Sequence, residues 1–381
     1  MKNRIIRMRL IPIALAVALC LSACGKAKKT SELPDTVTVE APLVYSPNDT
    51  MPSFMLDSVS WIPLELSDVN GLREISKLTV IDGKIILTDR IQCCIQVYDY
   101  PSGKLLYVID KKGNGPGEYL ETAAVTVTPT SVYVIDNYSR AIFRYSLADG
   151  SFIEKKPISF IAWDMEAFDD DTFLFTWVGN NPDAPKPALA PDYALWQTDG
   201  DFNIKKTFFP VEDGYLERYK QMRYFNRSGS DIIFHLLKYG GYFSLAKDKQ
   251  PVFYPVEFPN PIPDGMTVRL ADLENKSWQY LSETPFVSKD FATVEITVGN
   301  QGWQLFAGEG KIFENSKNWA RNIPIDIVGV TDDNRFIGYI NDNYDMYSQL
   351  VEYGFQKGDE TVENLLRQGG CCLIVYQMKA E

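Results

Sequence analysis

The chain has 381 residues, with 38 Lys+Arg against 50 Asp+Glu, six cysteines and one histidine. A formal net charge of −12 argues against a nucleic-acid partner, which needs a concentrated positive surface. The lone His235 cannot supply a three-His zinc site or an HExxH pair, while 45% hydrophobic and 13% aromatic content describe a chain that folds around a substantial core.

The chain opens on a basic stretch with Lys2, Arg4, Arg7 and Arg9, followed by the apolar run Ile11 to Leu21. That pattern predicts a secretory signal over residues 1–23, too short for a stable membrane span. Leu21-Ser22-Ala23-Cys24 resembles the lipobox of bacterial lipoproteins, which implies cleavage before Cys24 and a membrane anchor through lipid on that cysteine. The alternative is an ordinary cleaved signal in which Cys24 is incidental. Loss of residues 1–23 takes four positive charges and moves the formal charge from −12 to −16. Gly25 in place of an aspartate implies the outer membrane, and the basic run Lys26 to Lys29 favours the periplasmic side over the cell surface.

Residues 24–56 mix Lys, Ser, Thr, Pro and Asp with little periodicity and read as a flexible tether. From residue 57 onward short β-type runs alternate with Gly, Asp, Asn and Pro. A shift of 47 residues lays Leu78 to Leu105 on Val125 to Phe152 without a gap, pairing Thr79 with Thr126, Asp89 with Asp136, Tyr98 with Tyr145 and Gly103 with Gly150. Each copy reads as four antiparallel strands. Such a unit cannot bury both faces alone, so copies must stack, and a propeller does this while exposing little edge. The predicted fold is all-β, a six-bladed β-propeller over 57–381. Its units lie at about 77–109, 123–158, 164–209, 221–258, 286–322 and 326–379, and the run Ser58 to Leu66 completes the last blade.

Three segments strengthen this reading: Val59-Ser60-Trp61-Ile62-Pro63-Leu64-Glu65, Gly113-Asn114-Gly115-Pro116-Gly117-Glu118-Tyr119, and Cys372 to Lys379. They resemble the six-bladed β-propeller lipoproteins of Gram-negative gut anaerobes, relatives of NHL-repeat propellers. The resemblance implies the fold and an envelope location, and brings no catalytic residues.

In a propeller, loops between second and third strands and links between blades share one face. The excursions Gly179–Pro191, Asn260–Glu283 and Asn341–Gly370 all map there, with helical periodicity at 267–274, 347–353 and 360–367. Helical excursions decorating one face make that face the expected binding surface. Its candidate ligand-binding residues are Asp89, Arg90, Asp136, Asn137, Tyr138 and Trp278. The two aspartates also suit a structural role on turn amides, which leaves Arg90, Asn137 and Tyr138 freer.

Other features read as structural. The Gly113–Tyr119 loop lacks the Gly-Lys-Ser/Thr ending of a phosphate cradle, and the acidic runs Asp169–Asp171 and Asp332–Asp333 suit hairpin turns better than calcium. Cys93-Cys94 and Cys371-Cys372 lack CxxC spacing and read as small buried hydrophobes, with one bridge between first and last repeats left open. No motif selects a catalytic residue, a metal ligand or a cofactor. The expected function is binding of a small ligand (glycan or peptide) or an envelope protein. A carbohydrate-active or lactonase-like enzyme with carboxylates or a metal in the funnel, and a structural scaffold, are the alternatives.

Overall fold

The computed structural model describes residues 37–52, 55–66, 72–177, 191–210, 221–263, 270–316, 326–331 and 333–381, with Leu33 and Leu189. The signal segment, Cys24 and most of the 179–191 excursion lie outside the described residues. No described helix is long and apolar enough to cross a membrane.

The fold is all-β, with three short α-helices among the described residues: α1 (Leu270–Asn275), α2 (Tyr344–Glu352) and α3 (Glu360–Arg367). The first three antiparallel sheets span 77–110, 124–157 and 164–210. The fourth and fifth, 225–257 and 279–312, are halves of one eleven-stranded sheet, and the sixth covers 327–378. First strands pack on one another in sequence: Lys77–Ile81 on Ala124–Val127, then Asp164–Asp169, Phe225–Ser228, Phe286–Val287, Ile327–Thr331 and back to Lys77–Ile81. This closed ring is a β-propeller.

Burial explains the composition of each strand. Second strands are apolar on both faces, as in Ser131–Asp136, because each sheet is covered by a neighbour on either side. Outer strands such as Phe152–Pro157 (FIEKKP) and Ile204–Pro210 (IKKTFFP) are largely exposed and carry lysines, which guard an open edge. The 47-residue repeat holds down to register: Lys77 pairs Thr88 as Ala124 pairs Ile135, and both third strands shift register at one position, Val97/Tyr98 and Arg144/Tyr145. Gly103 and Gly150 share φ of 72° in equivalent turns.

Strands β1 (Thr38–Val39), β2 (Leu43–Tyr45), β3 (Thr50–Met51) and β4 (Leu56–Pro63) precede the repeats. As expected, β4 closes the ring, pairing antiparallel with Cys371–Met378 from Met378↔Leu56 to Cys372↔Pro63. The tether assigned to 24–56 is corrected from Thr38 onward. There β1 and β2 pair parallel with the outer strand Val252–Glu257, β2 also with Lys311–Ile312, and β3 with Asn315–Ser316. Open backbone edges of the fourth and fifth sheets supply the reason: two- and three-residue strands can satisfy them without an alternating pattern.

Two further expectations are revised. The fifth unit begins at Gln279, not 286, because Gln279–Leu281 pairs with the same strand as Phe286–Val287, so the excursion before it is shorter. All four described cysteines are buried and free, so the bridge left open between first and last repeats is not formed. Burial pushes the Cys94 thiol up to about 11 and the Cys372 thiol up to about 12, which suppresses thiolate chemistry.

Candidate functional site

The helical excursions lie where antiparallel alternation sends them. Backbone of α1 at Glu274 approaches the second-to-third turn of the fifth sheet at Gly299, and α2 and α3 interrupt the sixth sheet between its second and third strands. On the same face Leu72 O accepts from Asn341 Nδ2 at 3.1 Å, which ties the link into the first sheet to the sixth.

Asp89 and Asp136 are fully buried and do one job twice. Asp89 accepts from the amides of Arg73 (2.8 Å), Glu74 (3.3 Å) and Gln92 (2.9 Å). Asp136 accepts from Leu120 N (2.9 Å), Tyr138 N (2.9 Å), Ser139 N (3.1 Å) and Ser139 Oγ (2.9 Å). Each carboxylate ties an inter-blade link to a second-to-third turn, the structural task that the turn chemistry of these two candidates suggests. Asn137 is likewise engaged, since its Nδ2 donates to Ala162 O and its Oδ1 accepts from Ala162 N.

Arg90 is half-buried and its backbone amide donates to Ser76 Oγ at 3.2 Å. Tyr138 is 75% exposed, the largest exposure of any large apolar side chain described. Trp278 sits between the fourth and fifth sheets, half-buried against Leu273 and Tyr280, and is not brought together with the other candidates.

The Gly113–Tyr119 element is a closed turn. Gly115 N donates to Glu118 Oε2 at 2.8 Å, Gly117 takes φ of 74°, and buried Tyr119 Oη donates toward Cys93 O and Ile109 O. Asp170 accepts from the hydroxyls of Thr128, Thr130 and Tyr133, and Asp169 pairs with Lys247. No group of three or more His, Cys, Asp or Glu poised for a metal occurs among the described residues. His235 is buried with Nδ1 2.6 Å from Gly241 O and Nε2 3.1 Å from Leu281 O, and burial pushes its pKa down to about 4. It joins the fourth sheet to the fifth.

The central channel holds charges that no motif marked. Glu166, 1% exposed, accepts from Lys77 Nζ at 2.6 Å, Arg227 Nε at 2.8 Å and Thr126 Oγ1 at 2.6 Å, joining the first strands of four blades. Burial alone would raise its pKa, but Lys77 and Arg227 outweigh that and hold the carboxyl below its ordinary value. Nearer the decorated face, Glu283 accepts from Met222 N at 2.7 Å and Arg223 N at 3.2 Å. Burial pushes its pKa up to about 7 against the opposing charge of Arg223. Burial also raises Asp326, again opposed by Arg223, whose guanidinium carbon lies 5.1 Å from the Phe286 ring centroid.

Residues 45–367 match the family described as a domain of unknown function, DUF4934. The chain belongs to the DUF4934 family. Among solved structures, this DUF4934 chain is similar to a protein described as exported from Bacteroides fragilis NCTC 9343. That match has a TM-score of 0.68 at 15% identity, covering 90% of this chain and 100% of that one, and it supports the fold. A streptogramin B lyase (TM-score 0.37, 12% identity, 66% of this chain and 74% of that one) and the Neurospora crassa Pan2 WD40 domain (TM-score 0.34, 8% identity, 63% and 77%) also match. No curated protein matches.

The channel charges of the DUF4934 chain left a faint trace in sequence. Asp164-Met165-Glu166-Ala167 alternates acid with apolar at the head of the third repeat, which puts two acids on one face of a first strand. Their partners Lys77 and Arg227 stand 89 and 61 positions away from Glu166, beyond the reach of any spacing rule.

Proposed function

We propose that this protein is a cell-envelope lipoprotein, anchored through Cys24, whose six-bladed propeller binds a protein partner through its loop-decorated face. Supporting the location are the signal-like start, the lipobox resemblance and the similarity to a protein described as exported. The observation that carries the binding reading is the distribution of exposed apolar side chains. Ile91, Leu120, Tyr138, Leu189, Met222 and Tyr353 stand exposed in connections of the decorated face. The other exposed large apolar residues lie on outer strands, on β1 and β2, or at the rim at Leu66. Opposite-face turns, among the described residues, expose none and are rich in Asp, Lys and Gly. Water-exposed apolar groups gathered on one side mark an interaction surface, and Tyr is enriched at interface centres.

Photocrosslinking in the source cells tests this. A benzoylphenylalanine at position 138, 222 or 353 should give an adduct of discrete mass, and at position 149, 201 or 249 on the opposite face none. Adducts of the same mass from both faces, or from neither, would refute the reading.

A further inference from the structure

The decorated face is not uniform, and on its first two blades the cations are unpaired while most acids are spent on backbone amides. Tyr138 N and Leu120 N donate to the same Asp136 carboxylate, so these two exposed side chains are held beside each other on fixed backbone. Tyr119, next to Leu120, reaches Cys93 O in the turn that carries Ile91. One hydrogen-bonded frame therefore presents Ile91, Leu120 and Tyr138 together. Five cations are attached to it. Arg73 N donates to Asp89, Arg90 adjoins Asp89, Lys111 O accepts from Tyr119 N, Lys112 bridges to Tyr119, and Arg140 lies in the Asp136 turn.

None of the five forms an ion pair among the described residues. The acids of the same loops are turned inward: Asp89 and Asp136 as above, Glu118 onto Gly115 N and Glu121 onto Asn137 N at 3.1 Å. Glu74 is half-buried, with its backbone amide on Asp89, which leaves Glu65 and Asp110 as the exposed acids of these loops among the described residues. In a protein of formal charge −12, these loops hold their acids mostly on backbone amides and leave five unpaired cations beside exposed apolar groups on a preorganised frame.

We propose that this patch binds an acidic polypeptide segment bearing apolar side chains, with Tyr138 and Leu120 as apolar anchors and the five cations as its charge complement. The inference rests on the protein-binding reading of the decorated face. Rigid, amide-fixed aromatic and aliphatic groups favour a protein over a fluid lipid surface, because preorganisation lowers the ordering cost of a specific contact, and complementary charge speeds and selects encounter.

The test uses the purified protein and a displayed library of random 12-residue peptides, with recovered peptides rebound to Tyr138→Ser, to Lys111→Glu/Lys112→Glu and to Met222→Ser. Expected peptides are net negative with at least one aromatic or aliphatic residue. They should bind about 10-fold more weakly to the first two variants and unchanged to Met222→Ser. Peptides that are basic or neutral overturn the inference. Peptides lost only on Met222→Ser overturn it while leaving the decorated-face reading intact, and peptides insensitive to all three variants defeat both. Recovery of no peptide overturns it as well. If vesicles of seven parts phosphatidylcholine to three of phosphatidylglycerol then bind through Tyr138, the patch is a membrane contact instead.

Discussion

Replacing Glu166 should reveal whether the propeller is held at its axis by charge. Its carboxylate is 1% exposed and joins Lys77 (13% exposed) and Arg227 (26% exposed) across the first strands of blades one, three and four, with Thr126 from blade two. Removing one partner of a buried pair typically costs ~3–5 kcal/mol, because the remaining charges stay desolvated. Arg227 keeps bonds to Val127 O and Ala167 O and can draw water, and Lys77 keeps Met165 O at 3.3 Å. Those residual contacts place Glu166→Gln at the lower end, ~3 kcal/mol. With an unfolding entropy of about 0.7 kcal/mol per kelvin for a domain of this size, the melting temperature should fall by about 4–5 °C. Urea unfolding at pH 7 and calorimetry give both numbers. A cycle with Lys77→Met should show coupling of ~1–3 kcal/mol. Since the folded pKa of Glu166 is depressed, its contribution is complete above the unfolded value near ~4.3 and is lost as pH falls through the folded one. The wild-type advantage over Glu166→Gln should therefore be flat from pH 6 to 8 and shrink below about pH 4. A cost under ~1 kcal/mol, or additive Lys77 and Glu166 effects, would refute the argument.

Two further outcomes follow from the same reasoning. For Glu283 the sign is reversed: a folded pKa of about 7 above an unfolded ~4.3 means stability declines as pH rises between those values, by up to ~3 kcal/mol. Glu283→Gln should gain on wild type as pH rises from about 4 to about 8 in urea unfolding, and a stability difference that stays constant over that range would contradict the raised pKa. A chain starting at residue 53, without β1 to β3, should fold as a monomer of reduced stability. One starting at residue 64 also loses β4 and exposes the apolar edge strand Cys371–Met378, so it should associate; size-exclusion chromatography distinguishes the two, and a soluble monomer from both would show that β4 is dispensable.

How much of this was legible in the sequence depends on how far apart the interacting residues are. The repeat was visible because each blade solves one local problem, four strands joined by turns, so Asp89/Asp136 and Gly103/Gly150 recur at the spacing of the solution. Ring closure was legible for a related reason: β4 carries a full strand pattern with no partner in its own neighbourhood. The edge strands β1 to β3 were not legible, because a two-residue parallel pairing needs only a free backbone edge and leaves side-chain identity unconstrained. The axial charges fail differently, since Glu166 is intelligible only beside Lys77, Thr126 and Arg227, which three other repeats supply.

The decorated face lies between these cases. Asp136 was readable as a turn-former, yet its use of both a turn amide and a link amide is what fixes Tyr138 beside Leu120. A carboxylate spent on backbone amides thus positions the contact residues. Asp136→Ala should consequently weaken partner binding through disorder of the patch, whereas Tyr138→Ser should weaken it through lost contact alone, with the melting temperature unchanged. Equal melting temperatures for both variants would separate the patch from the carboxylate that is argued to build it.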